Sequence, residues 1–148
     1  MSGYLLDVNM LIALTWPTHI HHSVARRWFD RKTQAGWATC PTTQLGFVRI
    51  SSNPKIIRDA VPPREAVSML ERLTALPGHE FWPGNVAVTD AATFASLALI
   101  GHRQVTDAYL LALAQRHKGK LATLDGGVPE LIAERQERSR WVELVEKP

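Results

Sequence analysis

Three aspartates stand where an α/β chain can bring acidic side chains together. Asp7 interrupts the apolar run from Tyr4 to Leu14. Asp125 follows the apolar segment Lys120–Leu124, and Asp107 opens an apolar helical stretch. Burying several carboxylates together is unfavourable unless a cation compensates their charge. Mg²⁺ and Mn²⁺ prefer such oxygen ligands, so we predict a Mg²⁺ (or Mn²⁺) site held by these three residues.

Each aspartate also has a purely structural interpretation. Asp107 is suited to the first turn of a helix, where an acid interacts favourably with the helix dipole. Asp125 precedes Gly126 and Gly127 and could be a turn residue. Asp7 could form an Asx turn that caps the helix after it. No Cys or His occupies equivalent strand-end positions, which argues against zinc.

The elements that must position these acids alternate along the chain. Short apolar runs predict strands at Tyr4–Val8, Trp37–Cys40, His79–Trp82, Lys120–Leu124 and Trp141–Val145. Amphipathic or apolar stretches predict helices at Met10–Leu14, Ile20–Gln34, Pro41–Ile50, Pro63–Leu76, Asp90–Leu99 and Asp107–His117, the last with Thr106 as its N-cap. This alternation favours an α/β domain with a mainly parallel sheet of about five strands. Ligands bind beyond the carboxyl ends of such strands, where strand order reverses, so the three acids can meet there.

Length and composition indicate one soluble domain covering residues 1–148. Apolar residues make up 45% of the 148-residue chain and charged residues 21%, as in ordinary globular proteins. No apolar run reaches the roughly 18 residues of a membrane helix, and the amino terminus lacks the basic region of a signal peptide. The single Cys40 excludes an internal disulfide. We therefore expect a cytoplasmic protein without membrane contact, and its net charge of +3 slightly favours polyanionic partners.

Three segments carry a resemblance to a known family. They read LLDVNMLIAL near the start, TQLGFVRISSNP in the middle and RQVTDAYLLALAQRHKGKLATLDGG toward the end. Together they resemble the PIN-domain ribonucleases, and among these the VapC toxins of bacterial type II toxin–antitoxin systems. The resemblance implies a three-layer α/β/α fold, a cluster of acids that binds Mg²⁺ or Mn²⁺, and endonucleolytic cleavage of RNA. It also implies a homodimer and inhibition by a cognate VapB-like antitoxin.

The resemblance assigns roles to particular residues of this chain. Asp7, Asp107 and Asp125 match the first, third and fourth acids of the family pattern. Asn9 and Thr123 occupy the small polar positions that flank the first and last acids. These two would support the site by bonding carboxylates or water molecules on the metal.

The second acid of the family pattern is missing. Gln44 stands nearest to the position where family members commonly carry a glutamate. Its amide offers an oxygen without charge, so we expect weaker metal binding or one firmly held ion instead of two. Asp90 is a spare acid that could approach the site, although a first-turn role is favoured. Candidate contacts to RNA phosphates are Arg49, Arg103 and Lys118.

The predicted reaction is hydrolysis by a metal-activated water, with Asp125 orienting or deprotonating that water. Its products would carry a 5′-phosphate and a 3′-hydroxyl. A phosphatase of the haloacid dehalogenase type would need an aspartate where Asn9 stands. A phosphoacceptor receiver domain would need an adjacent acid pair near the first strand, which is absent. A third alternative remains open because of Gln44: a PIN-like domain that binds RNA or a partner with little or no cleavage.

Overall fold

The computed structural model describes residues 3–90, 97–98 and 101–146. Its strands are β1 (Tyr4–Leu6), β2 (Trp37–Thr39), β3 (His79–Phe81), β4 (Lys120–Thr123) and β5 (Val142–Leu144). Its α-helices in these ranges are α1 (Val8–Thr15), α2 (His22–Lys32), α3 (Pro41–Ser51), α4 (Pro63–Thr74), α5 (Val105–Arg116) and α6 (Arg135–Trp141). Short 3₁₀ turns occur at Thr33–Ala35, His102–Gln104 and Pro129–Leu131.

All five strands form one parallel sheet in the order β3-β2-β1-β4-β5. The central strand β1 pairs with β2 on one side, where Tyr4 is opposite Trp37. It pairs with β4 on the other side, where Leu5 is opposite Leu121. Successive strands are therefore added on one side of β1 up to β3 and then on its other side from β4 onward. The direction of strand addition reverses between β1 and β4. In open α/β sheets, the crevice at the carboxyl ends of two such strands is the usual ligand site.

Helices cover both faces of the sheet because alternate strand residues point to opposite sides. Leu6 belongs to a core that includes Met10 of α1 and Phe47 of α3. Leu5 belongs to a second core that includes Leu111 of α5 and Val142 of β5. The predicted three-layer α/β/α fold with a five-stranded parallel sheet is thus confirmed.

Helix α5 has more buried residues than any other helix that the structure describes. Its fully buried or nearly buried residues are Ala108, Leu110, Leu111, Ala112, Leu113 and Ala114. The predicted N-cap at Thr106 is wrong: the 3₁₀ turn His102–Gln104 runs directly into α5, and Val105 already has helical dihedrals. Thr106 therefore lies inside the first turn. Helix α5 is apolar, but its 12 residues are too few to cross a membrane. No helix within the described ranges is long and apolar enough to span one.

Two further predictions of secondary structure need correction or lie outside the described residues. Helix α6 was not predicted, because its sequence RQERSRW buries no residue and so carries no apolar periodicity. Most of the predicted helix Asp90–Leu99 (residues 91–96 and 99) lies outside the described residues. Within that segment, Leu97 forms an isolated antiparallel bridge with Ile132 rather than a helical turn.

Candidate functional site

Asp7 is the residue that joins β1 to α1. Its backbone N–H donates to the Ala122 carbonyl at 3.1 Å, which continues the pairing with β4. Its side-chain Oδ1 accepts from the Met10 N–H at 2.9 Å and caps α1. The capping role considered for Asp7 is therefore present. It does not exclude metal binding, because a carboxylate has about four lone-pair sites and one bond occupies only one of them.

Thr123 links the first acid to the last. This fully buried residue ends β4, and its hydroxyl oxygen accepts from the Asp125 N–H at 3.0 Å. The same hydroxyl hydrogen-bonds the Asp7 carboxylate and lowers the pKa of that carboxyl. One buried side chain thus joins the carboxyl ends of β1 and β4, the two strands that flank the crevice.

Asp107 and Asp125 complete the group of acids. Asp107 lies half-buried in the first turn of α5. Asp125 is exposed two residues after β4, and its Oδ1 accepts from the Gly127 N–H at 2.8 Å in a tight turn. The structural interpretations of both residues are thus also present, and both leave carboxylate oxygens available.

The electrostatics show that the three carboxylates lie close enough to act on one another. Burial raises the pKa of Asp7 from 3.8 to about 6, and the charges of Asp107 and Asp125 contribute to this increase. Burial also raises the pKa of Asp107, with a further contribution from the charge of Asp125. The structure therefore places the three predicted acids within electrostatic reach of one another, although their positions in the sequence are far apart. A bound cation would relieve this repulsion.

The residues present fit a hard divalent cation by their chemistry. Within residues 3–90, 97–98 and 101–146, no three His, Cys, Asp or Glu side chains are grouped as a ready-made ligand set. Mg²⁺ does not require one, since it usually keeps several waters and binds one or two carboxylates together with substrate phosphates. Asp7, Asp107 and Asp125 supply such oxygens in a partly buried, mutually repelling arrangement.

Gln44 lies near the beginning of α3, the helix that follows β2. Its Nε2 donates to the Thr39 hydroxyl at 3.0 Å. Two residues further on, Gly46 packs directly against Val8: a Cβ built on Gly46 would stand 2.5 Å from Val8 Cγ2. Helix α3 therefore contacts the chain one residue beyond Asp7. The sequence analysis did not identify Thr39 as a partner of Gln44. A threonine at the end of a buried strand needs a hydrogen-bond partner, and this need was the available signal.

The remaining predicted site residues differ in where they lie. Asn9 is exposed in the first turn of α1, beside Asp7 in the chain. Arg103 is exposed in the 3₁₀ turn that leads into α5, four residues before Asp107. Arg49 is exposed three residues after Gly46, on neighbouring positions of the α3 surface. The roles of these three residues stay predictions, and Arg49 lies in the last turn of α3.

Two other predicted residues lie away from the three acids. Lys118 follows the carboxyl end of α5, with φ of 57°, and precedes β4 by two residues. It therefore lies at the opposite edge of the sheet from Asp125. Asp90 forms an ion pair with Arg116 at 3.3 Å, in the last turn of α5. Nine residues of helix, about 14 Å, separate Arg116 from Asp107, so Asp90 is held away from the site.

Comparison with known proteins identifies the family. Residues 4–133 match the model of the PIN domain. The chain belongs to the PIN-domain family. Two PIN-domain relatives from Mycobacterium tuberculosis are similar over most of their length. Ribonuclease VapC39 is 45% identical over 126 residues, which cover 85% of this chain and 91% of VapC39. Ribonuclease VapC38 is 46% identical over 131 residues, which cover 88% of this chain and 91% of VapC38.

Solved structures share the same PIN-domain fold at lower sequence identity. FitAB bound to an IR36 DNA fragment superposes with a TM-score of 0.63 at 18% identity, covering 95% of this chain and 94% of the matched chain. VapBC2 from Rickettsia felis, bound to a DNA fragment from its promoter, gives a TM-score of 0.56 at 15% identity. That match covers 97% of this PIN domain and 98% of the matched chain. At these identities the likeness concerns the fold.

Proposed function

We propose that this chain is a metal-dependent endoribonuclease and the toxin of a VapBC-type toxin–antitoxin system. The similarity to VapC39 and VapC38, both named ribonucleases, supports RNA as the substrate. The observation that supports the proposal is that the charges of Asp107 and Asp125 act on the buried Asp7 at the crevice between β1 and β4. The raised pKa values of Asp7 and Asp107 mark a place where negative charge is concentrated and a divalent cation is favoured.

Asp7, Asp107 and Asp125 would hold the ion, Mg²⁺ or Mn²⁺. When bound, the ion would lower the pKa of a water molecule and offset charge on the scissile phosphate. Thr123 holds the Asp7 carboxylate in place through its hydroxyl. Asp125, the exposed acid, is suited to orient the attacking water and accept its proton. This assignment predicts products with a 5′-phosphate and a 3′-hydroxyl.

Single-stranded RNA is the expected substrate form. Its bases can turn away from the backbone, whereas a helical duplex keeps them stacked. Arg103 lies beside the amino end of α5, and Arg49 lies on the exposed surface of α3. Both can meet phosphates that flank the scissile bond, which predicts cleavage that weakens as the salt concentration rises.

A cleavage assay with defined single-stranded RNAs tests the proposal. Wild-type protein should cleave with Mg²⁺ or Mn²⁺ and stop with a chelator, and Asp7→Asn should be inactive while still folded. The matched control is Asp59→Asn, which removes an exposed acid from the turn before α4 and should retain wild-type activity. A 2′,3′-cyclic phosphate product, or full activity of Asp7→Asn, would overturn the mechanism.

A domain that binds RNA or a partner without efficient cleavage remains the second candidate. Gln44 favours it, because an uncharged amide stands where the family commonly carries an acid. Titration of Mn²⁺ into the cleavage assay, with wild type and Gln44→Glu in parallel, separates the two. Cleavage by wild type supports the nuclease, whereas cleavage by Gln44→Glu alone supports the binding domain.

The proposed partner is a VapB-like antitoxin, and the proposed assembly is a cytoplasmic homodimer. VapBC2 and FitAB, the solved structures with the same fold, support a partner of this kind. A basic antitoxin side chain placed among the three aspartates would compete with the cation for the same carboxylates. Co-purification with the product of an adjacent short gene, with loss of cleavage in the complex, tests this partner. An isolated protein that elutes as a monomer would contradict the homodimer.

A further inference from the structure

A partly buried hydrogen-bond network connects Gln44 to two side chains that the proposed reaction does not use. Thr39, at the carboxyl end of β2, is fully buried. Its hydroxyl oxygen lies 3.0 Å from the Gln44 Nε2 and 2.8 Å from the His79 Nε2. Three different elements, β2, α3 and β3, thus contribute to one line of hydrogen bonds. Hydrogen bonds between one buried hydroxyl and both side chains restrain Gln44 and His79 in one arrangement.

One hydrogen bond of this network has a definite direction, and the direction of the other depends on the tautomer of His79. A hydroxyl has one hydrogen to donate. The Thr39 oxygen accepts from the Gln44 amide, and its hydrogen is left to donate. When a neutral His79 carries its proton on Nδ1, its Nε2 accepts that hydrogen. Burial lowers the pKa of His79, although the charge of Glu80 acts in the opposite direction. The ring of His79 is also packed against Trp37, with 4.8 Å between ring centroids.

This direction decides which atom Gln44 can offer. Its amide nitrogen is engaged by Thr39, so Oε1 is the remaining polar atom of the side chain. Helix α3 begins where β2 ends, and β2 is the neighbour of β1, the strand that leads into Asp7. Side chains that follow two adjacent parallel strands share one edge of the sheet, at a strand spacing of about 4.8 Å. Gln44 therefore belongs to the same edge as the aspartates.

We propose that Thr39, supported by His79, is a positioning residue that turns Oε1 of Gln44 toward the aspartates as a neutral oxygen ligand for their cation. The proposal rests on the proposed function. The site lacks the second acid of the family pattern. In this proposal the Thr39 hydroxyl holds the amide nitrogen of Gln44, so that the amide oxygen faces the cation. An unrestrained glutamine would present its NH₂ group as readily as its oxygen, and an NH₂ group cannot bind a cation.

A substitution pair at Thr39 tests the proposal. Thr39→Val keeps the shape of the buried side chain and removes the hydroxyl, whereas Thr39→Ser keeps the hydroxyl and is the matched control. Loss of a residue that orients a metal ligand typically reduces metal affinity or activity about 10-fold to 100-fold. We expect about a 10-fold loss of Mn²⁺ affinity and of kcat in Thr39→Val, with KM for RNA nearly unchanged. Thr39→Ser should stay within about 2-fold of wild type, a change far smaller than that range.

Two further measurements separate positioning from a general loss of structure. In metal-free wild type, ¹⁵N NMR should show a neutral His79 with its proton on Nδ1. In a Gln44→Ala background, Thr39→Val should cause no further loss of Mn²⁺ affinity. If Thr39→Val does not fold, His79→Phe serves as the second variant, because a phenyl ring can replace the half-buried imidazole against Trp37 but has no nitrogen to bond Thr39. His79→Phe should weaken Mn²⁺ binding in the same direction.

The outcomes distinguish this inference from the proposed function. Wild-type affinity and kcat in a folded Thr39→Val, additive losses in the double variant, or a His79 proton on Nε2 would overturn the positioning role. If wild type cleaves RNA and Thr39→Val is unaffected, the nuclease stands and the positioning role falls. If wild type binds Mn²⁺ without cleaving RNA, the proposed function falls, and the Mn²⁺ and NMR measurements still decide whether Thr39 positions Gln44.

Discussion

Asp7→Asn should stabilise the metal-free protein while it abolishes cleavage. Burial and two neighbouring charges raise the pKa of Asp7 from 3.8 to about 6. At about 1.4 kcal/mol per pKa unit, the charged carboxylate costs the folded state about 3 kcal/mol. Asparagine is neutral and caps helices about as well as aspartate, so the bond from the Met10 N–H can be kept.

The pH dependence of this effect follows from the direction of the pKa change. An acid whose pKa is raised on folding binds protons more tightly in the folded state, so wild-type stability falls as the pH rises from about 4 to about 6. The cost is absent well below the unfolded pKa of 3.8 and complete above about 6. Asp7→Asn lacks this titration. Its advantage over wild type should therefore grow from under about 1 kcal/mol near pH 4 to about 3 kcal/mol near pH 8.

Urea unfolding in the presence of a chelator measures both values. The control is again Asp59→Asn, an exposed site where the change in unfolding free energy should stay within about 0.5 kcal/mol at both pH values. Added Mg²⁺ should then stabilise wild type more than Asp7→Asn, since it binds the folded charged site. A destabilised Asp7→Asn near pH 8, or an effect that is equal at both pH values, would refute the reasoning.

Three other substitutions test separate parts of the account. Gly46→Ala should destabilise the fold by about 1–3 kcal/mol in thermal unfolding, because the new Cβ would meet Val8 at 2.5 Å; an unchanged Tm would contradict this packing. Arg116→Ala breaks the exposed ion pair with Asp90 and should change the free energy of unfolding by less than about 1 kcal/mol. Cleavage should stay intact. Loss of cleavage would indicate that Asp90 takes part in the site. Thr123→Val removes the hydroxyl that supports the first acid, so the pKa of that acid, followed by NMR, should rise above about 6; a lower value would contradict the assigned hydrogen bond.

Much of the fold was predictable because its strands are short, apolar and separated by helices. The five predicted strands all form, within one or two residues of their bounds. Asp7 was the most informative single residue, since a carboxylate between a buried strand and a buried helix needs a partner. What the sequence could not provide was the strand order, which decides that β1 and β4 are neighbours and that Asp7 and Asp125 share a crevice.

Other differences from the predictions also have physical causes. Lys118 was named as a candidate phosphate contact, and β4 places it at the opposite edge of the sheet from Asp125. The separation of Lys118 from Asp107 was calculable in advance, because eleven residues at about 1.5 Å of helical rise span about 16 Å. Helix α6 was missed because it buries no residue and so has no apolar periodicity in its sequence. The stability of such a short charged helix depends on the elements next to it in the fold.

Direct titration of Mn²⁺, followed by its EPR signal, tests the central claim that Asp7, Asp107 and Asp125 together bind one kind of ion. Wild type should bind Mn²⁺ in competition with Mg²⁺. Asp7→Asn, Asp107→Asn and Asp125→Asn should each weaken binding by about 10-fold or more, as expected when a metal site loses a charged ligand or its support. Wild-type affinity in all three variants, or Mn²⁺ binding that ignores Mg²⁺, would contradict a shared site.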